Sequence, residues 1–389
     1  MMVPILLSLA LMADPFPFEK EEAELSAGIF EHELKAHVYR LAGPEFLGRK
    51  GDGGFRAAEH IAGMFSRLKL KPAFGDSFFQ PIPWLLTTPR PDGKTIAGRN
   101  VGAYIPGSDP QLADEWIILA AHYDHLGQRD GKTYFGADDN ASGVAMLLEV
   151  AEAFALTEVK PKRSIYFLSF DLEEVGLGGS TYFAAHPPRD LAKMKAFLVA
   201  DLLGRSMADV MDEYLFVLGT ETSPELAAAI DTMPAMPGLT TGKLGADIVG
   251  TRSDYGPFRD RKIPFLFFTT GIHRDYHKPT DLPERINYPK LTRNSRYIEA
   301  FTRKLADVAE PPHWEPSPLG PGMNEVATVM VLFDRALAKP DVVKLTETQR
   351  QRFMESRDRL AAIAERKTMT PEERTWLINI GRWALATVF

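Results

Sequence analysis

Histidines and carboxylates recur in this sequence at a few short points, each just after an apolar run or just before an apolar helix. His122, Asp124 and His125 stand in AHYDHLG, Asp138 and Asp139 in GADDNASG, Glu173 and Glu174 in SFDLEEVGLGGS, Asp201 closes LVAD, and His277 lies in DYHKPTD. Taken singly these signals are weak, because Asp-Asp before a helix is usually an N-cap pair and Glu-Glu after a strand is usually solvated. Together they pose a charge problem: carboxylates sharing one cavity each raise the cost of ionising their neighbours. A divalent cation, or a pair of them, removes it. Two imidazoles with three carboxylates suit zinc, and one shared carboxylate would hold two ions about 3.5–4 Å apart. The 389 residues contain no cysteine, which excludes thiolate zinc sites, iron–sulfur clusters, disulfides and a cysteine nucleophile. Any metal must be held by nitrogen and oxygen.

These side chains need a scaffold that brings them together. Residues 116–121, 164–170, 196–200, 214–218 and 263–268 are short, nearly continuous apolar runs, the pattern of strands buried on both faces. Between the first two, Val144, Leu147, Leu148, Ala151 and Phe154 mark an amphipathic helix over 142–156. Ser223-Pro224 opens another over 225–230. Strands alternating with helices predict an α/β fold with a mainly parallel sheet covered on both faces. Ligands of such sheets bind outside the carboxyl ends of the strands, so His122, Glu173, Glu174 and Asp201 should converge on one crevice. Upstream, helices are expected over 18–41 and 54–68, and residues 72–99 read as loop with one short strand, too short for an inserted domain.

Downstream of a Pro- and Gly-rich stretch at 311–322 the sequence turns helical. Thr346-x-x-Gln349 and Thr370-Pro371-Glu372-Glu373 are capping boxes. Trp376, Leu377, Ile380, Trp383 and Ala384 share one face, so residues 313–389 should dock on the main domain or on a partner subunit as a homodimer contact. With 52 acidic and 45 basic residues, a net charge of −7, the chain has no footprint for nucleic acid. Residues 1–13 carry no charge and include an apolar run too short for a stable membrane span. They read as an export signal cleaved near Ala13, making the product periplasmic or secreted; left uncleaved, the segment would pack on a cytoplasmic protein.

In this order, AHYDHLG, GADDNASGVAMLLEVA, SFDLEEVGLGGS, LVADLLGR, RSDYGPF and YHKPTDLPE resemble the zinc-dependent aminopeptidases with two co-catalytic metals, peptidase family M28. The resemblance covers roughly residues 32–303, including PEFLGRKGDGGFRAAEHIAGMF ahead of the sheet. It implies a three-layer αβα sandwich with a mainly parallel, mixed sheet in a catalytic domain of residues 14–312. The implied activity is removal of N-terminal residues from peptides with a free amine, by a hydroxide bridging two zinc ions. Carried over, His122 and Asp201 would bind one ion, Glu174 and His277 the other, and Asp139 rather than Asp138 would bridge them, followed by a cis peptide to Asn140. Glu173 would be the general base, Asp124 would orient His122, and Tyr276 would donate to the oxyanion. Beside these, His125 reads as structural or supporting, His273 as a surface or pocket-rim residue and Ser142 as a helix cap, while Ser253-Asp254 resembles the family's rim motif or is a turn. Residues 238–251 are expected in the substrate pocket wall. A one-zinc glutaminyl-cyclase-like acyl transferase on the same fold, and a dipeptidase or carboxypeptidase, are the alternatives.

Overall fold

The apolar runs fold as the centre of a nine-stranded mixed sheet. The computed structural model describes residues 28–84 and 95–388. In chain order its strands are β1 (Lys71–Pro72), β2 (Phe79–Pro83), β3 (Ile96–Ile105), β4 (Trp116–His122), β5 (Gly127–Arg129), β6 (Lys132–Tyr134), β7 (Ser164–Phe170), β8 (Met194–Ala200), β9 (Tyr214–Leu218), β10 (Thr240–Leu244) and β11 (Phe265–Thr269). They lie in the order β1-β3-β7-β4-β8-β11-β9-β10, with β2 on β3, while β5 and β6 form a separate ribbon. The central neighbours β7, β4, β8 and β11 run parallel. Antiparallel pairing of β3 with β7 and of β11 with β9 makes the sheet mixed. Along β4, Ile117, Leu119 and Ala121 enter one core and Trp116, Ile118 and Ala120 the other, which is why its sequence shows no alternation.

Helices cover both faces. On one lie α1 (Glu31–Leu41), α2 (Asp52–Arg67), α3 (Gly143–Leu156), α5 (Pro224–Asp231) and α8 (Tyr288–Asp307). On the other lie α4 (Gly178–Ala185), α6 (Ala246–Val249), α7 (Gly256–Arg259) and the four helices of the extension, α9 (Met323–Ala338), α10 (Pro340–Val343), α11 (Glu347–Arg366) and α12 (Pro371–Val388). The result is a three-layer α/β sandwich. The extension packs on its own chain: Leu377, Ile380 and Ala384 are buried in the second core, and both capping boxes form.

Several elements escape the apolar pattern, among them β3, β10 and α8. β3 begins inside the stretch read as loop, and its buried Asn100 is satisfied by Gln80 Oε1 and the Gly179 carbonyl rather than by apolar packing. The edge strand β10 carries Lys243, which reaches Asp231 at 2.5 Å. The twenty-residue α8 buries one face of a sequence rich in Lys and Arg. The first helix starts at Glu31, later than expected: residues 28–30 are not helical and Phe30 is extended, while 18–27 and the export segment at 1–13 lie outside the described residues. No helix among the described residues is long and apolar enough to cross a membrane.

Candidate metal centre

The carboxyl ends of β4, β7 and β8 meet the turn that enters α3. His122 is the last residue of β4 and Asp201 follows β8. Asp139 lies in the turn Ala137–Ser142, where it and Asn140 leave helical geometry and the peptide between them is cis. The turn is held from several sides. Asp281 accepts from the Asp138 and Asp139 amides at 3.0 and 3.1 Å. Asn140 bonds the Ala200 carbonyl at 2.9 Å and the Gly143 amide at 3.0 Å. Ser142 does not cap α3; its hydroxyl donates to the Asp138 carbonyl and accepts from the Leu203 amide, joining the turn to the end of β8.

Two donor groups result, and they share Asp139: His122, Asp139 and Asp201 form one, and His125, Asp139 and Glu174 the other. His122 Nε2 is 3.4 Å from Asp139 Oδ1 and 3.4 Å from Asp201 Oδ1. His277 Nε2 is 3.1 Å from Asp139 Oδ2 and 3.1 Å from Glu174 Oε2. Donors on one tetrahedral zinc with bonds of about 2.0–2.1 Å lie about 3.3 Å apart, so these spacings fit. A second test agrees: His122 Nε2, Asp139 Oδ2 and Asp201 Oδ1 are buried without a hydrogen-bond partner. Buried polar atoms that face one another unpaired are costly unless a cation joins them.

His125 and His277 compete for the second group. His125 Nδ1 bonds Glu174 Oε1 at 2.8 Å and stands 3.7 Å from Asp139 Oδ2. His277 is equidistant from both carboxylates at ligand-to-ligand spacing, so geometry favours it as ligand and His125 as the partner that orients Glu174. The loop bearing His277 is pinned by Asp275, whose carboxylate takes Arg285 at 2.8 Å, Arg205 at 3.1 Å and Thr280 at 2.7 Å.

Asp124 fastens the acidic pair after β7. Its carboxylate accepts the amides of Glu173 at 3.0 Å and Glu174 at 3.3 Å, and its own carbonyl meets His122 Nδ1 at 3.2 Å. Its carboxylate is 3.6 Å from that imidazole, so it steadies the glutamates more directly than the histidine. Ser253 and Asp254 are fully buried beneath the site, Ser253 Oγ lying 3.4 Å from Asp201 Oδ2, and are not on a rim. His273 is likewise buried, 3.4 Å from Asp138. Arg49 carries no chemical motif yet is wholly buried, its guanidinium donating to the carbonyls of Tyr123, Leu41, Phe135, Gly136 and Asp139. It ties the segment before the sheet to the backbone of both metal-facing turns.

Electrostatics follow from this crowding. Burial, then Asp254 and Asp201, raise the Glu173 pKa well above the carboxylate range despite His122 nearby. Burial would lower His122, but Asp201 and Glu173 hold it well above the ordinary imidazole value. Burial would raise Glu174, but bonds from His125 and His277 hold it below the usual range. Burial and Asp139 push the Tyr276 phenol far up, so it stays protonated. A bound dication would reverse the first two trends, because it becomes the largest local charge.

The model of peptidase family M28 matches residues 100–302, which hold all of these donors. Aminopeptidase YwaD of Bacillus subtilis (strain 168) is 26% identical over 195 residues, 47% of this chain and 40% of that protein. The chain thus aligns with under half the length of the curated relatives it matches first. Among solved structures, the LapA aminopeptidase of Legionella pneumophila superposes with a TM-score of 0.56 at 22% identity, covering 78% of this chain and 79% of that one. The glutaminyl cyclase of Bacteroides thetaiotaomicron gives 0.54 at 17% identity over 70% and 97%. At these identities the likeness is one of fold, shared by a peptidase and a cyclase alike.

Proposed function

The chain belongs to peptidase family M28, and from that premise we propose that it is an aminopeptidase with two zinc ions, releasing N-terminal residues from peptides. The observation that carries the reading is the pair of donor groups joined through Asp139, with Glu173 beside them. His122, Asp139 and Asp201 would hold one ion, and Asp139, Glu174 and His277 the other. Bound there, the ions would supply Lewis-acid polarisation of the scissile carbonyl and make water a better nucleophile at neutral pH. A second complete donor group is what favours this reading over a one-zinc cyclase.

The chain's own residues do the rest. Glu173 takes the proton of the attacking water as the new carbon–oxygen bond forms, and returns it to the departing amine as the carbon–nitrogen bond then breaks. Tyr276 keeps its proton and donates a hydrogen bond to the oxygen that becomes negative. The acidic surplus around Asp201 and Glu173 favours the protonated amine of a free N-terminus over a blocked one.

Glu173→Gln should retain both ions by elemental analysis and lose about 10²–10⁴-fold in kcat on aminoacyl-anilides. The wild type should leave N-blocked peptides intact. Equal cleavage of blocked peptides, or cyclisation of N-terminal Gln peptides without release, would sink the reading.

A further inference from the structure

Beside the metal centre lies a cavity of about 430 Å³, with Asp201 and Tyr276 in one wall. That size falls within the roughly 300–1,000 Å³ of small-ligand sites. Strand ends supply Phe216, Leu218 and Phe267, and α6 supplies Ile248 and Val249, so its inner surface is apolar. The outer wall comes from an unexpected place: Arg382, Leu385 and Ala386 of α12. This helix lies beyond residue 302, where the family match ends.

The helix is held in place rather than resting there. Arg382 donates to the Asp247 carbonyl at 2.6 and 3.2 Å, and Arg374 to the Asp247 carboxylate at 2.6 Å, so two turns of α12 grip α6. Between them Gly381 lets the helices close, since a Cβ there would sit 3.3 Å from Ile248. On the far side Trp383 packs on Phe353, its ring centre 5.2 Å away. A wall fixed this way has a set depth.

We propose that α12 is a specificity element: Leu385 and Ala386 close the cavity that receives the side chain of the substrate's first residue, and Arg382 repels cationic ones. This rests on the aminopeptidase reading, since it is the residue beside the scissile bond that faces Asp201 and Tyr276. The cavity then takes bulky apolar side chains and disfavours lysine and arginine, whose charge would meet both Arg382 and the exposed Arg252 in its lining.

The test uses full-length protein and two readouts. In the first, kcat/KM is measured on the anilides of Ala, Leu, Phe and Lys. Ala386→Trp, at an exposed position, should cut the Phe-to-Ala ratio at least about tenfold, since one methylene in an apolar pocket is worth about 10–200-fold. Leu385→Ala should move the ratio the other way. In the second readout, calorimetric Kd values for free L-phenylalanine and L-alanine need no turnover. If the wild type cleaves anilides but neither variant moves either ratio, the wall assignment is overturned and the aminopeptidase reading survives. If the wild type cleaves nothing yet binds phenylalanine more tightly, and Ala386→Trp erases that preference, the wall stands and the aminopeptidase reading falls. A wild type with no preference in either readout overturns the wall.

Discussion

Two groups of buried carboxylates in this molecule solve the same charge problem differently. Around Asp139, the acids Glu173, Glu174 and Asp201 face imidazoles, and Arg49, the guanidinium that reaches this turn, spends its donors on backbone carbonyls. Where α6 meets α9 and α12, Glu325 is also buried and Glu221 half-buried, but each has an oxygen on a backbone amide, Gly245 at 2.6 Å and Ala246 at 2.8 Å. There Arg374 lies 3.1 Å from Glu325 and 2.6 Å from Asp247. Burial outweighs that attraction and pushes Glu325 to about 8 and Glu221 to about 7, so near neutral pH Glu325 favours its proton and Glu221 shares it about evenly with water. At the metal centre Glu174 is instead held ionised by two histidines. The difference is instructive: a structural acid cluster brings its own guanidinium and proton, whereas a cluster whose carboxylates face only imidazoles and one another is built for a cation from outside.

One substitution, Glu→Gln, separates the two. Glu174→Gln at the metal centre should cost the second ion and lower kcat/KM about 10³-fold, since several kcal/mol of charge stabilisation are lost at about 1.4 kcal/mol per decade. Elemental analysis and steady-state kinetics check it. A variant that keeps both ions and its activity would remove Glu174 from the donor set and blur the contrast.

Removing the guanidinium tests the other side. Arg374→Met leaves Glu325 and Asp247 without their partner and should cost about 3 kcal/mol, or roughly 4 °C in Tm for a chain of this length. The loss should be greater at pH 9 than at pH 6. The folded pKa of Glu325 lies above its unfolded value, so its ionisation costs stability as pH rises from the carboxylate range to about 8. Without Arg374 that pKa climbs further and the loss extends to higher pH. Thermal unfolding at the two pH values decides, and an unchanged Tm at both would show that the guanidinium balances nothing.

The two regions were unequally readable from the sequence. Strands β4, β7 and β9 announce themselves because burial on both faces makes them nearly continuous apolar runs, and the carboxyl-end rule then gathers His122, Glu173, Glu174 and Asp201. Asp139 and His277 needed the family resemblance, since their loops carry no periodic signal. Arg49 was invisible: it acts on carbonyls up to 90 residues away, and a lone arginine after a glycine has no local mark. For His125 a supporting role is legible, but not its partner, because the bond to Glu174 spans two strand ends. Residues 238–251 were expected in the pocket wall, and Leu244, Ile248, Val249 and Gly250 do line the cavity. The contribution of α12 lies more than a hundred residues beyond, past a proline-rich turn, where only tertiary packing could bring it back.

The smallest effect is expected from Glu325→Gln, the counterpart of the change at Glu174. Near pH 7 the wild-type carboxyl favours its protonated form, and glutamine offers the Gly245 amide the same carbonyl acceptor. Stability should therefore change by less than about 1 kcal/mol. The sign with pH is the sharper readout. A raised folded pKa means the unfolded chain releases its proton first, so the wild type loses stability between the carboxylate range and about pH 8. The glutamine variant has no proton to lose there, and relative to the wild type it should gain about 1 kcal/mol or more from pH 5 to pH 9 in urea unfolding. Were the variant instead to lose ground at high pH, Glu325 would be an ionised partner of Arg374, and the two acid clusters would differ only in which cation each employs.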